Sequence, residues 1–142
     1  MSLTQGLLIL HLFSVTIALG IGFTNLVNMR VAKGQTGDIA KGLMMHRMAM
    51  LVYGDIFVVG ILLTGGLLLW AIGGEAGLNA WFHVKMAAVL VWLIFYVALR
   101  LTIRQIVKTG NMALVSRIRI FAHVAITAAT AALICAVMTF AT

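Results

Sequence analysis

Long apolar runs separated by short charged segments dominate the pattern of the chain. Residues 1–29 and 120–142 contain no Asp, Glu, Lys or Arg, and each run reaches the roughly 20 residues with which a helix crosses a bilayer. The pattern predicts four transmembrane helices, at about residues 3–28, 42–70, 80–106 and 112–140. The predicted fold class is an all-α membrane protein, an antiparallel four-transmembrane-helix bundle that forms a single domain over residues 1–142.

Composition supports this interpretation. Of the 142 residues, 63% are hydrophobic and 9% are charged, whereas about 25% of the residues of a soluble domain are charged. The sequence contains no proline, and this favours unbroken helices. The single cysteine, Cys135, excludes a disulfide or a cysteine-based metal cluster within this sequence.

The formal net charge of +7 would suit a nucleic-acid-binding protein, but its distribution argues against that class. Nine of the ten Lys and Arg residues flank the first and third predicted loops: Arg30, Lys33, Lys41 and Arg47, then Arg100, Arg104, Lys108, Arg117 and Arg119. Basic residues of this kind are enriched in cytoplasmic loops, where they contact anionic lipid headgroups. The sequence therefore predicts a multi-pass protein of the bacterial inner membrane, with both termini outside the cytoplasm and the lipid bilayer as its partner.

Each predicted helix carries one histidine, and two of the four lie at matched depth. His11 is 19 positions before Arg30, and His83 is 17 positions before Arg100. Helices 1 and 3 run in the same direction, so at a rise of about 1.5 Å per residue the two histidines differ by about 3 Å in depth. Two such imidazoles can bind a haem b from both faces near the outer side of the membrane.

The other two histidines, His46 and His123, belong to the inner half of the membrane. His46 is one position before Arg47, and His123 is four positions after Arg119, a mismatch of about 7–8 Å. If this pair also bound haem, the chain would carry two haems and could pass electrons across the membrane. The alternative for all four histidines is a hydrogen-bonded role in packing or at the membrane interface.

Two polar stripes predict which faces of the first and last helices point into the bundle. Small or polar residues follow His11 at helical spacing: Ser14, Ala18, Gly22, Asn25 and Asn28. A second stripe lies on helix 4: Ser116, Arg119, His123, Thr127 and Thr130. Small residues at this spacing allow another helix, or a flat ligand, to approach closely, and both stripes are predicted to face inward.

Asp55 and Lys85 are the candidate catalytic residues. An acid at membrane depth costs on the order of 3 kcal/mol, so Asp55 is predicted to be buried and paired, with His123 as partner, where the pair could relay protons. Lys85 could extend to the outer surface along its aliphatic stem. It could instead meet a haem propionate or an anionic substrate.

The segment Trp81-Phe82-His83-Val84-Lys85 resembles the W-L-H-x-K opening of the third helix in two related groups. These are the CopD-type copper-resistance membrane domain and the haem-containing, membrane-bound protoporphyrinogen IX oxidase. Both also have a histidine early in the first helix, as His11 is here. The resemblance implies that His11 and His83 ligate b-type haem and that Lys85 is functional. The oxidase group follows its first helix with a Pro-Arg segment, which this chain lacks.

These observations predict a small b-type membrane cytochrome that exchanges electrons with a quinol or a redox protein and that acts alone or in a homo- or hetero-oligomer. An oxidoreductase activity linked to quinol or porphyrinogen is left open. The alternative is a haem-free accessory subunit or a copper-handling protein. Soft Cu(I) ligands would come from the methionines around His46, which are Met44, Met45, Met48 and Met50. Methionine is also a common packing residue, and that interpretation is the simpler one.

Overall fold

The computed structural model describes residues 2–71 and 80–141. Within these ranges the chain is almost wholly helical and contains no strand. The long helices are α1 (Leu3–Val31), α2 (Gly37–Ala71), α3 (Ala80–Thr109) and α4 (Val115–Ala141), and a 3-10 turn at Met112–Leu114 precedes α4. The predicted all-α fold class is confirmed.

Each of these four helices is long and apolar enough to cross a membrane. The 29 residues of α1 extend over about 44 Å, which exceeds the roughly 30 Å of a bilayer's hydrocarbon core. Large apolar side chains are exposed along the helices; Phe23, for example, is 66% exposed and Trp70 is 75% exposed. Such a surface is stable against lipid and would cause aggregation in water. The chain is therefore an integral multi-pass membrane protein.

The helix boundaries differ from the predicted ones by several residues. Helix α2 begins at Gly37, five residues before the predicted start, and α3 continues to Thr109. Charged residues at the membrane boundary are compatible with an α-helix, so a helix can continue past the point where the hydropathy changes. Helices α1 and α3 are instead followed by glycines: Gly34 and Gly110 have positive φ angles of 89° and 66°, a conformation that commonly follows a helix C-terminus.

The contacts divide the chain into two compact units, each an antiparallel helical hairpin: α1 with α2, and α3 with α4. In the first hairpin, the side chain of Ser14 is buried against α2 near Gly60, and Leu51, Gly54 and Val58 are buried on α2. The small and polar stripe of α1 thus lies on its contact face with α2. That the two hairpins form a single domain stays a prediction.

In the second hairpin, the packing face of α4 is apolar. Its buried residues are Leu114, Ile118, Ala125, Ala128, Ala132 and Cys135, where Leu114 immediately precedes the helix. They pack on a face of α3 that buries Leu99 and Thr102, and the rings of Phe95 and Phe121 meet edge to face at 5.8 Å. The polar stripe of α4 lies on the opposite side of the helix and is exposed. Within this hairpin the contact with α3 is made by the apolar face, whose small alanines permit close approach. That the polar stripe faces the interior of a four-helix bundle stays a prediction.

Candidate functional site

The ring of His11 is half-buried at the contact between α1 and α2. Its Nδ1 lies 2.9 Å from Oγ1 of Thr64. The hydroxyl of Thr64 donates to the carbonyl oxygen of Gly60, with an O–O distance of 2.6 Å. A hydroxyl has one proton and a carbonyl oxygen can only accept, so the bond between His11 and Thr64 is donated by Nδ1–H of the ring.

This bond sets the tautomer of His11. A neutral ring that donates from Nδ1 carries its lone pair on Nε2. Histidines that bind metals through one ring nitrogen generally donate from the other nitrogen to a protein acceptor. His11 therefore has the tautomer that histidines binding a metal through Nε2 usually have.

Two glycines of α2 make this approach of α1 possible. A Cβ atom at position 65 would lie 3.1 Å from Cε1 of His11, and a Cβ atom at position 60 would lie 3.1 Å from Oγ of Ser14. Both separations are tighter than ordinary van der Waals contact. The adjacent Gly66 faces open space, since a Cβ atom there would meet nothing within 4 Å.

His46 has the opposite tautomer. Its Nδ1 lies 2.9 Å from Nδ2 of Asn28, near the loop that joins α1 and α2. An amide nitrogen can only donate, so Nδ1 of His46 accepts and a neutral ring carries its proton on Nε2. His46 would have to give up this bond or move its proton before Nε2 could bind a metal.

His123 is exposed on the polar stripe of α4. Its Nδ1 lies 2.7 Å from the carbonyl oxygen of Arg119 and donates to it, so a neutral ring has its lone pair on Nε2, as in His11. Asp55 on α2 is half-buried rather than fully buried, beside the buried Leu51 and Val58. Pairing of Asp55 with His123 would join the two hairpins and stays a prediction.

His83 lies in the first turn of α3, and its ring is exposed. The ring of Phe82 meets it edge to face at 6.0 Å. Lys85 is half-buried, with its Nζ 5.6 Å from the centroid of the Phe82 ring, a cation–π distance. Phe82 therefore contacts both the ring of His83 and the ammonium group of Lys85, which is two positions further along the helix.

The chain matches no known family model, and no curated protein and no solved structure matches it either. The similarity to the CopD and protoporphyrinogen oxidase groups thus rests on the residues quoted for it. Among residues 2–71 and 80–141, no three His, Cys, Asp or Glu side chains are grouped as metal ligands usually are. A haem with two axial histidines needs only a pair.

Sequence reasoning missed Thr64 and Gly65, which contact His11. Both lie in the segment Leu62-Leu63-Thr64-Gly65-Gly66, whose small residues interrupt an otherwise bulky apolar run. That interruption is the signal that could have identified this part of α2 as a close-contact face. The sequence gives no register between α1 and α2, so it could not show which side chain meets His11.

Proposed function

We propose that this chain is a small membrane cytochrome that binds haem b through His11 and His83 in the outer half of the bilayer. The observation that carries the proposal is the geometry of His11: a half-buried imidazole in an apolar hairpin, donating from Nδ1 to Thr64. Neutral imidazole nitrogens are usual axial ligands of b-type haem.

The second ligand is assigned from depth. His11 is 19 positions before Arg30 and His83 is 17 positions before Arg100, so on parallel helices the two histidines would differ by about 3 Å in depth. The proposal assigns one ligand to each hairpin. Lys85, two positions after His83 and over the ring of Phe82, would supply a positive charge that suits a haem propionate or an anionic substrate. The donor set and the charge both fit haem b.

When bound, the haem would supply one-electron redox chemistry, while the protein sets ligation, access and local charge. The electron partner would be a quinol in the bilayer or a redox protein at the outer side. An oxidoreductase reaction on a quinol or a porphyrinogen would draw on Lys85 and Asp55 as the ionisable groups at membrane depth. Phe82 and Thr64 would act by holding Lys85 and His11 in place.

We assign one haem per chain. The tautomer of His123 suits ligation, but that of His46 opposes it, because the proton of a neutral His46 ring lies on Nε2. The depth mismatch of this pair is also larger, at about 7–8 Å.

Purified protein is expected to be red and to contain one haem b per chain. Extraction and quantification of haem against protein concentration measures this ratio, and a spectrum before and after reduction identifies the haem type. Two haems per chain would indicate that His46 and His123 bind the second one. A colourless protein after expression with ample haem would favour the haem-free accessory or copper-handling alternative.

We also propose that both termini lie outside the cytoplasm. This orientation is inferred from the basic residues, because nine of the ten flank the first and third loops and only Lys85 follows the second. A reporter that is active only in the periplasm, fused after Thr142, should be active, and one that is active only in the cytoplasm should be silent. The reverse result would place the basic loops outside and overturn the assignment of His11 and His83 to the outer half.

A further inference from the structure

Three residues of α2 form the contact around His11: Gly60, Thr64 and Gly65. Thr64 is four positions after Gly60, about one turn of the helix, so these two lie on the same side, and Gly65 follows Thr64 directly. The buried Ser14 packs against Gly60, and the edge of the His11 ring packs against Gly65. The hydroxyl of Thr64 lies between these two contacts, where it reaches Nδ1 of His11.

The hydrogen bonds among these groups run in one direction only. The carbonyl oxygen of Gly60 has no proton, and its distance of 2.6 Å from Oγ1 of Thr64 requires a hydrogen between the two oxygens. The hydroxyl proton of Thr64 is therefore donated to the carbonyl oxygen of Gly60. Oγ1 has lone pairs left for an incoming donor, and Nδ1–H of His11 supplies that donor.

We propose that Thr64 is a positioning residue that holds His11 in the Nδ1–H tautomer and fixes the orientation of its ring, with Gly65 leaving the space for it. The effect on haem rests on the proposed function, whereas the tautomer is a property of the haem-free chain. Residues that orient a metal ligand typically change metal affinity by about 10–100-fold when they are removed. We assign that role to the hydroxyl of Thr64.

If Thr64 had a purely structural role, its replacement would not change the tautomer of His11. Threonines in helices often donate to the carbonyl four residues earlier without serving any ligand. Thr102 on α3 is such a residue, buried and donating to the carbonyl oxygen of Ala98 at 2.8 Å. Thr102→Val is therefore the matched control for Thr64→Val, since both changes remove a hydroxyl and keep the shape.

The first test uses haem-free protein labelled with nitrogen-15 in histidine and dissolved in detergent. The nitrogen chemical shifts of His11, assigned by comparison with His11→Gln, are expected to show a proton on Nδ1. Thr64→Ser keeps the hydroxyl and should keep this tautomer. Thr64→Val should lose the single tautomer, while Thr102→Val should not change it. A wild-type His11 protonated on Nε2, or an unchanged tautomer in Thr64→Val, would overturn the proposal.

The second test measures haem affinity by titration. Thr64→Val should weaken binding about 10–100-fold, and Thr64→Ser should stay close to wild type. Gly65→Ala should also weaken binding, because its Cβ meets the ring, and Gly66→Ala should not. If Thr64→Val does not fold, Gly65→Ala and the wild-type tautomer decide the matter. Wild-type protein that binds no haem but has the Nδ1–H tautomer would overturn the proposed function and leave the tautomer assignment standing.

Discussion

Replacing His11 or His83 by alanine should abolish the low-spin spectrum of the bound haem. Each change removes one axial nitrogen, and alanine keeps the helix because it has the highest helix propensity. The haem should then be lost, or retained in a five-coordinate form with a shifted Soret band. Absorption spectra of the purified variants, with haem quantified per chain, measure the effect.

His46→Ala is the control for these two variants. His46 also makes a hydrogen bond across the first hairpin, accepting from Asn28, but near the loop that joins α1 and α2. Its removal should leave the haem content and spectrum close to those of wild type. If His11→Ala and His83→Ala both kept the wild-type spectrum while His46→Ala lost it, the haem would belong to the inner pair, His46 and His123.

Gly60→Leu is expected to disrupt the first hairpin. Even a Cβ atom at position 60 would lie 3.1 Å from Oγ of the buried Ser14, and the leucine side chain is far larger. Overpacking of a close contact costs about 1–3 kcal/mol or more, and separation of α1 from α2 would also break the bond between His11 and Thr64. Unfolding by a denaturing detergent, followed by circular dichroism, should show a large loss of stability together with loss of haem.

Gly66→Leu is the matched control, with the same substitution one residue away. Gly66 is exposed and a Cβ atom there meets nothing within 4 Å, so a leucine would begin in open space and would raise helix propensity. Its stability should equal or exceed that of wild type. Equal stability of the two leucine variants would contradict the close packing of α1 on α2 at Gly60.

The helices and the contact face of α1 could be predicted from sequence for one physical reason. A helix that crosses a bilayer must be apolar where it meets lipid, so its length shows as an apolar run and its polar or small positions mark a contact. Ser14, which is buried against α2, and Asn28, which bonds to His46, follow this rule.

The rule does not identify the face of α4 that packs on α3, because lipid and the protein interior are equally apolar. Ala125, Ala128 and Ala132 form its packing face on account of their size, while Thr127 and Thr130 on the other side are exposed. Hydropathy alone does not separate a lipid-facing alanine from one that packs on a helix.

The partner of His11 could not be predicted either. It depends on the register between α1 and α2, which the close contacts at Gly60 and Gly65 determine. The sequence identified His11 as a candidate ligand from its depth relative to His83 and from a family resemblance. Its tautomer follows only from the two bonds of Thr64.

Near-infrared magnetic circular dichroism of the oxidised wild-type protein tests the central claim most directly, because its charge-transfer band identifies the pair of axial ligands. Ligation by His11 and His83 predicts a low-spin ferric haem with the signature of two neutral histidines, at one haem per chain. A signature of histidine with methionine or lysine, a high-spin haem, or the absence of haem would contradict it.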